Sequence, residues 1–149
     1  KAVLGTLTEF DHAAVVTFNA TADVLDGRPA LLPASAENVA LLGAWLDGLS
    51  PLGNSDFRAG LAKAFQAVDS GANSSSSPCN GLVLLLTAGS DGSGLAAAEV
   101  QAMNRKDFAI LTYSFGGEAD RALPKKIACG SKGIWRYVPD GANLATSWR

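Results

Sequence analysis

Three apolar runs that lack polar alternation limit this chain most: residues 12–18 (HAAVVTF), 81–87 (GLVLLLT) and 108–115 (FAILTYSF). A strand with one face in water alternates apolar and polar residues, so an unbroken run of strand length implies cover on both faces. Between the runs lie stretches with a helical repeat. Val39, Leu42, Leu46 and Leu49 recur at three- and four-residue steps behind Ser35, a good N-cap type, and should face a sheet. Phe57, Leu61, Ala64, Phe65 and Val68 form a second stripe over residues 55–69. Further helices are expected over 95–105 and, despite Pro124, over 119–129; residues 134–138 (IWRYV) read as a closing edge-like strand. Strands that alternate with helices need crossover connections. The expected fold is therefore α/β, a doubly wound, mostly parallel sheet with helices on both faces.

The remaining segments carry weaker patterns. Residues 1–7 read as the last turns of a helix, and the opening at Lys1 without a signal-peptide pattern is expected of part of a longer protein. A short edge strand is expected near 23–25, and the Ser-rich run 74–77 before Pro78 reads as a surface loop. At 149 residues and 48% apolar, the chain can bury the core of one domain. A net charge of −2 gives no positive field for phosphate backbones, so nucleic acid is not an expected partner. No apolar run approaches the roughly 18 residues of a membrane helix, so no membrane insertion is expected of this segment.

In such sheets ligands bind beyond the carboxyl ends of the strands. That end would carry Asn19 and the loops 53–56, 88–94 and 116–120. His12, the single histidine, begins a strand at the opposite end; the G-x-S-x-G and Walker patterns are absent, so an enzyme is not expected. The loop 88–94 (AGSDGSG) reads as a connecting turn or as backbone amides open to an anion. Ser55, Asp56, Asp91, Glu118 and Asp120 are of the types that hold Mg²⁺ or Ca²⁺, and equally of the types that cap helices and make turns. Cys79 and Cys129 are too few for a disulfide scaffold, lack metal-ligand spacing and read as two buried thiols. Asn19 and Asn73 head N-glycosylation sequons. Trp135 and Tyr137 alternate on the last strand and either cover a sheet face or form a contact surface, while Lys125, Lys126 and Lys132 suit a solvated helix end.

Taken in order, LGTLTEFDHAAVVTFN, ASAENVALLGAWLDGLSPLGNSDFRAGLAKAF, CNGLVLLLTAGSDG and LTYSFGGEADRALPKKIACGSKGIWRYVPD resemble the von Willebrand factor A domain of calcium-channel alpha-2/delta subunits. The resemblance covers residues 1–140 as a partial domain, with 141–149 as an extension or linker. It implies a metal-ion-dependent adhesion site whose Mg²⁺ or Ca²⁺ is shared with an acidic residue of a protein partner. Its Asp-x-Ser-x-Ser ligands, with the first strand, would lie ahead of Lys1. Gly53-Asn54-Ser55-Asp56 matches the second ligand loop and puts a hydroxyl at Ser55. The family's Thr-Asp-Gly is here Thr87-Ala88-Gly89, so Ala88 offers no donor, and Asp91 is the nearest substitute.

The resemblance further implies an extracellular or cell-surface binding module, part of a larger secreted or membrane-tethered protein, docking a channel subunit or another assembly component through Asn54, Ser55, Asp56, Asp91 and Glu118. The alternative is a structural packing or adhesion module with a degenerate metal site. On this fold Cys79 and Cys129 lie at the end opposite the ligand loops, paired with each other or with another part of a longer protein.

Overall fold

The computed structural model describes residues 1–27, 30–50, 53–71 and 80–142. Its elements in chain order are a 3-10 turn (Leu4–Thr6), β1 (His12–Ala13), β2 (Val16–Phe18), β3 (Ala22–Val24), a 3-10 turn (Leu25–Gly27), β4 (Leu32–Pro33), α1 (Ala36–Asp47), α2 (Phe57–Gly71), β5 (Leu82–Thr87), α3 (Ala97–Met103), β6 (Ala109–Phe115), α4 (Ala122–Gly130) and β7 (Trp135–Val138).

The second and third apolar runs form the expected parallel strands. β5 pairs with β6 from Leu82↔Ala109 to Thr87↔Ser114, and β6 pairs with β7 from Thr112↔Trp135 to Phe115↔Val138. Each step from strand to helix to neighbouring strand moves the same way across the sheet. Right-handed crossovers then place α3 and α4 on one face. α2 joins them there: Phe57, Leu61 and Phe65 share a core with Val83, Leu85, Leu95, Val100, Ile110 and Ile127.

Cover on both faces, expected from the unbroken apolar runs, is not found among the described residues. Val83, Leu85 and Ile110 are buried, but Leu82 and Leu86 on the other face of β5 are 59% and 44% exposed. Among the described residues β5 also has one strand neighbour only.

Residues 12–18 are not one central parallel strand. His12 and Ala13 pair antiparallel with Pro33 and Leu32, while Val16, Thr17 and Phe18 pair antiparallel with Val24, Asp23 and Ala22. The reason is the length of the connection: three residues, 19–21, return the chain in a hairpin, and a parallel neighbour would need a crossover of a dozen or more. All seven residues are half-buried. The hairpin is attached to the rest by α2, where the Phe18 ring meets Phe57 edge-on at 5.9 Å. Gly60 makes this possible, since a Cβ there would stand 2.8 Å from the Phe18 ring.

Ser35 caps α1 as expected, its side chain accepting from the Asn38 amide at 3.2 Å. Leu42 is buried and Val39 and Leu46 half-buried, but Leu49 lies past the helix end and is exposed. α1 packs against the opening 3-10 turn, with Lys1 paired to Asp47. That turn is all that forms of the helix expected over residues 1–7. Pro124 is tolerated because it falls in the first turn of α4, where its missing N–H has no partner to lose.

Candidate functional site

Four segments distant in sequence meet beyond the carboxyl ends of β5 and β6. Ser55 makes a parallel bridge to Asp91, and the Gly92 amide donates to the Ser55 carbonyl at 2.7 Å. The Asp56 amide donates to the Asn19 carbonyl at 2.7 Å, which ties in the tip of the β2–β3 hairpin. The Asp120 amide reaches the Gly89 carbonyl at 3.3 Å. The Ser55 hydroxyl stands against Gly89, where an added Cβ would lie 3.1 Å from it.

Asp91 organises this end. Its Oδ1 accepts from the Phe57 amide at 2.9 Å and the Ser93 hydroxyl at 2.8 Å, and its Oδ2 accepts from the Leu95 amide at 2.9 Å. One carboxylate thus caps the start of α2 and holds the approach to α3, where exposed amides favour negative charge. Burial pushes the Asp91 carboxyl up, but the Phe57 and Leu95 amides and the Ser93 hydroxyl outweigh it and hold it below its usual value. The neighbouring ion pair strengthens the same join. Glu99 accepts from the Ala96 amide at 3.0 Å and pairs with Arg58 of α2; the Arg58 bond chiefly, then the Ala96 amide, keep its carboxyl low.

The other acidic candidates also act as caps. Asp56 Oδ1 accepts from the Ala59 amide at 2.8 Å in the first turn of α2. Asp120 Oδ1 accepts from the Ala122 amide at 2.8 Å and the Leu123 amide at 3.3 Å, opening α4. Asn54 and Glu118 are exposed. Thr87 ends β5 with a buried hydroxyl that donates to the Gly89 carbonyl at 3.1 Å and accepts from the Gly89 amide at 3.2 Å, so it sets the turn that carries Ala88.

A hard cation needs about six oxygens. Ala88 has none, the Asp91 oxygens are bound by amides and a hydroxyl, and Asp56 and Asp120 cap helices. Among the described residues Ser55 Oγ has no such commitment and the Glu118 carboxylate is exposed, but no group of three or more His, Cys, Asp or Glu there stands close enough to hold a metal. The residues present do not by themselves fit a Mg²⁺ or Ca²⁺ site.

Sequence reasoning placed Ser55, Asp56 and Asp91 together and missed the parts played by Asn19, Thr87 and Ser93. Asp91-Gly92-Ser93 does carry a signal, since Asp followed two residues on by a hydroxyl is a pattern of turns and caps. Asn19 Oδ1 accepts from the Thr21 amide at 2.9 Å at the hairpin tip. Asn73 and Cys79 lie outside the described residues, and with them the second sequon and the disulfide; Cys129 is exposed in α4 rather than buried.

The chain matches no protein-family model. Among solved structures it is similar to a von Willebrand factor type A protein from Catenulispora acidiphila, with a TM-score of 0.82 and 24% identity over 97% of this chain and 34% of that one. It is also similar to proximal thread matrix protein 1 from the mussel byssus, with a TM-score of 0.62 and 18% identity over 93% of this chain and 34% of that one. A structure of the mussel protein with a zinc-occupied MIDAS motif gives a TM-score of 0.61 and 18% identity over 91% and 34% of the two chains. The likeness is one of fold, and the architecture is that of von Willebrand factor A domains. The chain spans about a third of the length of each neighbour.

Proposed function

We propose that the chain is a non-enzymatic protein-interaction module of an extracellular or cell-surface polypeptide, docking its partner through the loop end that carries Asn54, Ser55, Asp56, Asp91 and Glu118. The observation that carries this is the tying of Asn19, Ser55, Gly89 and Asp120, drawn from four segments, into one surface by backbone hydrogen bonds around the Asp91 carboxylate. A preorganised surface loses little entropy on binding. In its finer form the module belongs to a calcium-channel alpha-2/delta-like auxiliary subunit, a reading supported by the sequence resemblance alone. The opening strand, with its Asp-x-Ser-x-Ser, then precedes Lys1 and pairs with the open edge of β5.

Any divalent cation would rest mainly on that preceding segment, with Ser55 as this chain's contribution. Partner binding is accordingly expected to survive chelation. Isothermal titration of the natural polypeptide with MgCl₂, CaCl₂ or MnCl₂ should find no site at this end tighter than about millimolar. A micromolar site abolished by Ser55→Ala would overturn the metal-independent form.

A packing or adhesion module is the second reading, favoured by the part Asp91 plays as a structural clamp and by the bare face of β5. Photo-crosslinking from probes at Asn54 and Glu118, compared with probes at Leu82 and Leu86, separates the two. Partner adducts from the loop end support docking there; adducts from the sheet face alone support packing.

A further inference from the structure

Charge is unevenly placed in this chain. Five of its 12 cations, Arg121, Lys125, Lys126, Lys132 and Arg136, and none of its 14 acidic residues, lie in residues 121–136. The fold brings that segment together as α4 and the strand after it. Two of the cations stand over aromatic rings: the Arg121 guanidinium is 3.7 Å from the Tyr137 ring centroid, and the Lys125 ammonium is 5.7 Å from that of Trp135. The match is geometric. Four residues of helix advance about 6 Å and two residues of strand about 6.6 Å, so cations at 121 and 125 keep step with rings at 137 and 135. Ring faces hold the cations but leave their charge uncancelled. Among the described residues, Arg121, Lys125 and Lys126 have no carboxylate partner, whereas Lys132 pairs with Asp107.

Beside this row runs a strand edge that is open among the described residues: β7 has one strand neighbour there, β6. The Ile134 and Val138 carbonyls accept from the Thr112 and Gly116 amides, both at 2.9 Å, and so face β6. The two-residue repeat of a strand then turns the N–H and C=O of Trp135 and Tyr137 outward. The residues that seat the cations are therefore the ones whose backbone has no strand partner among the described residues and can take another strand.

We propose that the outer edge of β7 and the cationic row of α4 together dock an extended acidic segment of a partner protein. The segment adds to the sheet beside β7, and carboxylates at alternate positions, about 6.6 Å apart, face Arg121 and Lys125. An acid-x-acid pattern is the recognition element. The backbone pairing favours a peptide over a phosphate polymer, which brings charge but no strand amides. The competing explanation is that the cations only guard a strand edge against aggregation, in which case no acidic strand binds. The surface does not involve the loop end, so its failure leaves the function proposed above intact.

The test uses the full natural polypeptide and a fluorescein-labelled peptide, Thr-Glu-Val-Glu-Val-Glu-Thr, followed by anisotropy and by amide hydrogen exchange. Binding should weaken roughly ten-fold or more between about 0.05 and 0.3 M salt, as charge steering is screened. Lys125→Glu should cost at least about ten-fold, while Lys63→Glu on α2 should change nothing. Exchange at the Trp135 and Tyr137 amides should slow on binding. A peptide with Gln for each Glu keeps the protein unaltered and should bind about ten-fold more weakly or worse. Equal binding of the Gln peptide, no binding at all, slowed amides elsewhere, or an oligonucleotide that competes and slows the same amides would each overturn the proposal.

Discussion

At the residue scale, Asp91 joins the most parts of the molecule with the fewest atoms. Asp91→Ala leaves the Phe57 and Leu95 amides and the Ser93 hydroxyl without their acceptor, and the expected loss is about 2–3 kcal/mol of unfolding free energy in denaturant titration of the natural polypeptide. Acid should act through the same group. A carboxyl whose folded pKa is depressed contributes fully above the ordinary carboxylate range, and the contribution is lost as pH falls through the depressed value. The Asp91→Asn variant should therefore be less stable at neutral pH and lose less on acidification than the wild type. Equal acid limbs for the two proteins would show that Asp91 is not the group responsible. Of this arrangement the sequence discloses the turn-forming residues 91–93; that their acceptor faces Phe57, 34 positions earlier, follows from the fold.

At the scale of elements, two glycines mark close approaches of different hardness. An added Cβ at Gly60 meets the Phe18 ring at 2.8 Å, whereas at Gly133 it meets the Ile110 carbonyl oxygen at 1.9 Å. A ring can rotate away; the backbone of the central strand β6 cannot move without breaking pairs on both sides. Gly60→Ala should cost about 1–3 kcal/mol and Gly133→Ala more, with the amides of β7 exchanging faster in the second variant. A smaller effect for Gly133→Ala would mean that β7 is not held against β6 as described. α1 and α2 were legible from their stripes and, for α1, from Ser35, since local repeat and capping dictate them. The hairpin 16–24 was half legible. Its edge strand was expected, but the apolar run 12–18 concealed that a three-residue connection turns it back on itself.

At the scale of the whole molecule, the sheet is open in two senses. β5 has no strand on its second edge among the described residues, and its Leu82 and Leu86 face outward. An apolar strand with a free edge exchanges quickly and aggregates readily. The isolated 149 residues are expected to give no cooperative thermal transition in calorimetry, with β5 amides exchanging far faster than those of β6. A sharp transition with β5 protected would show that these residues suffice for a closed core, and would count against a strand ahead of Lys1.

The sequence by itself determined the class of the fold. Residues close together along the chain carry the periodicities that separate buried strands from amphipathic helices, and helix-linked strands with right-handed crossovers leave few topologies. It also determined which residue types gather at the carboxyl ends of the strands, because alternation of strand and helix sends every second loop to the same end. Tertiary structure alone decided what those residues do there. Asp91, Asp56 and Asp120 are suited by type to a cation, yet each lies within reach of amides at the start of a helix, and an amide dipole already in place is a closer partner for a carboxylate than an ion that must first shed its water. That preference depends on distances between residues tens of positions apart, which no local pattern records.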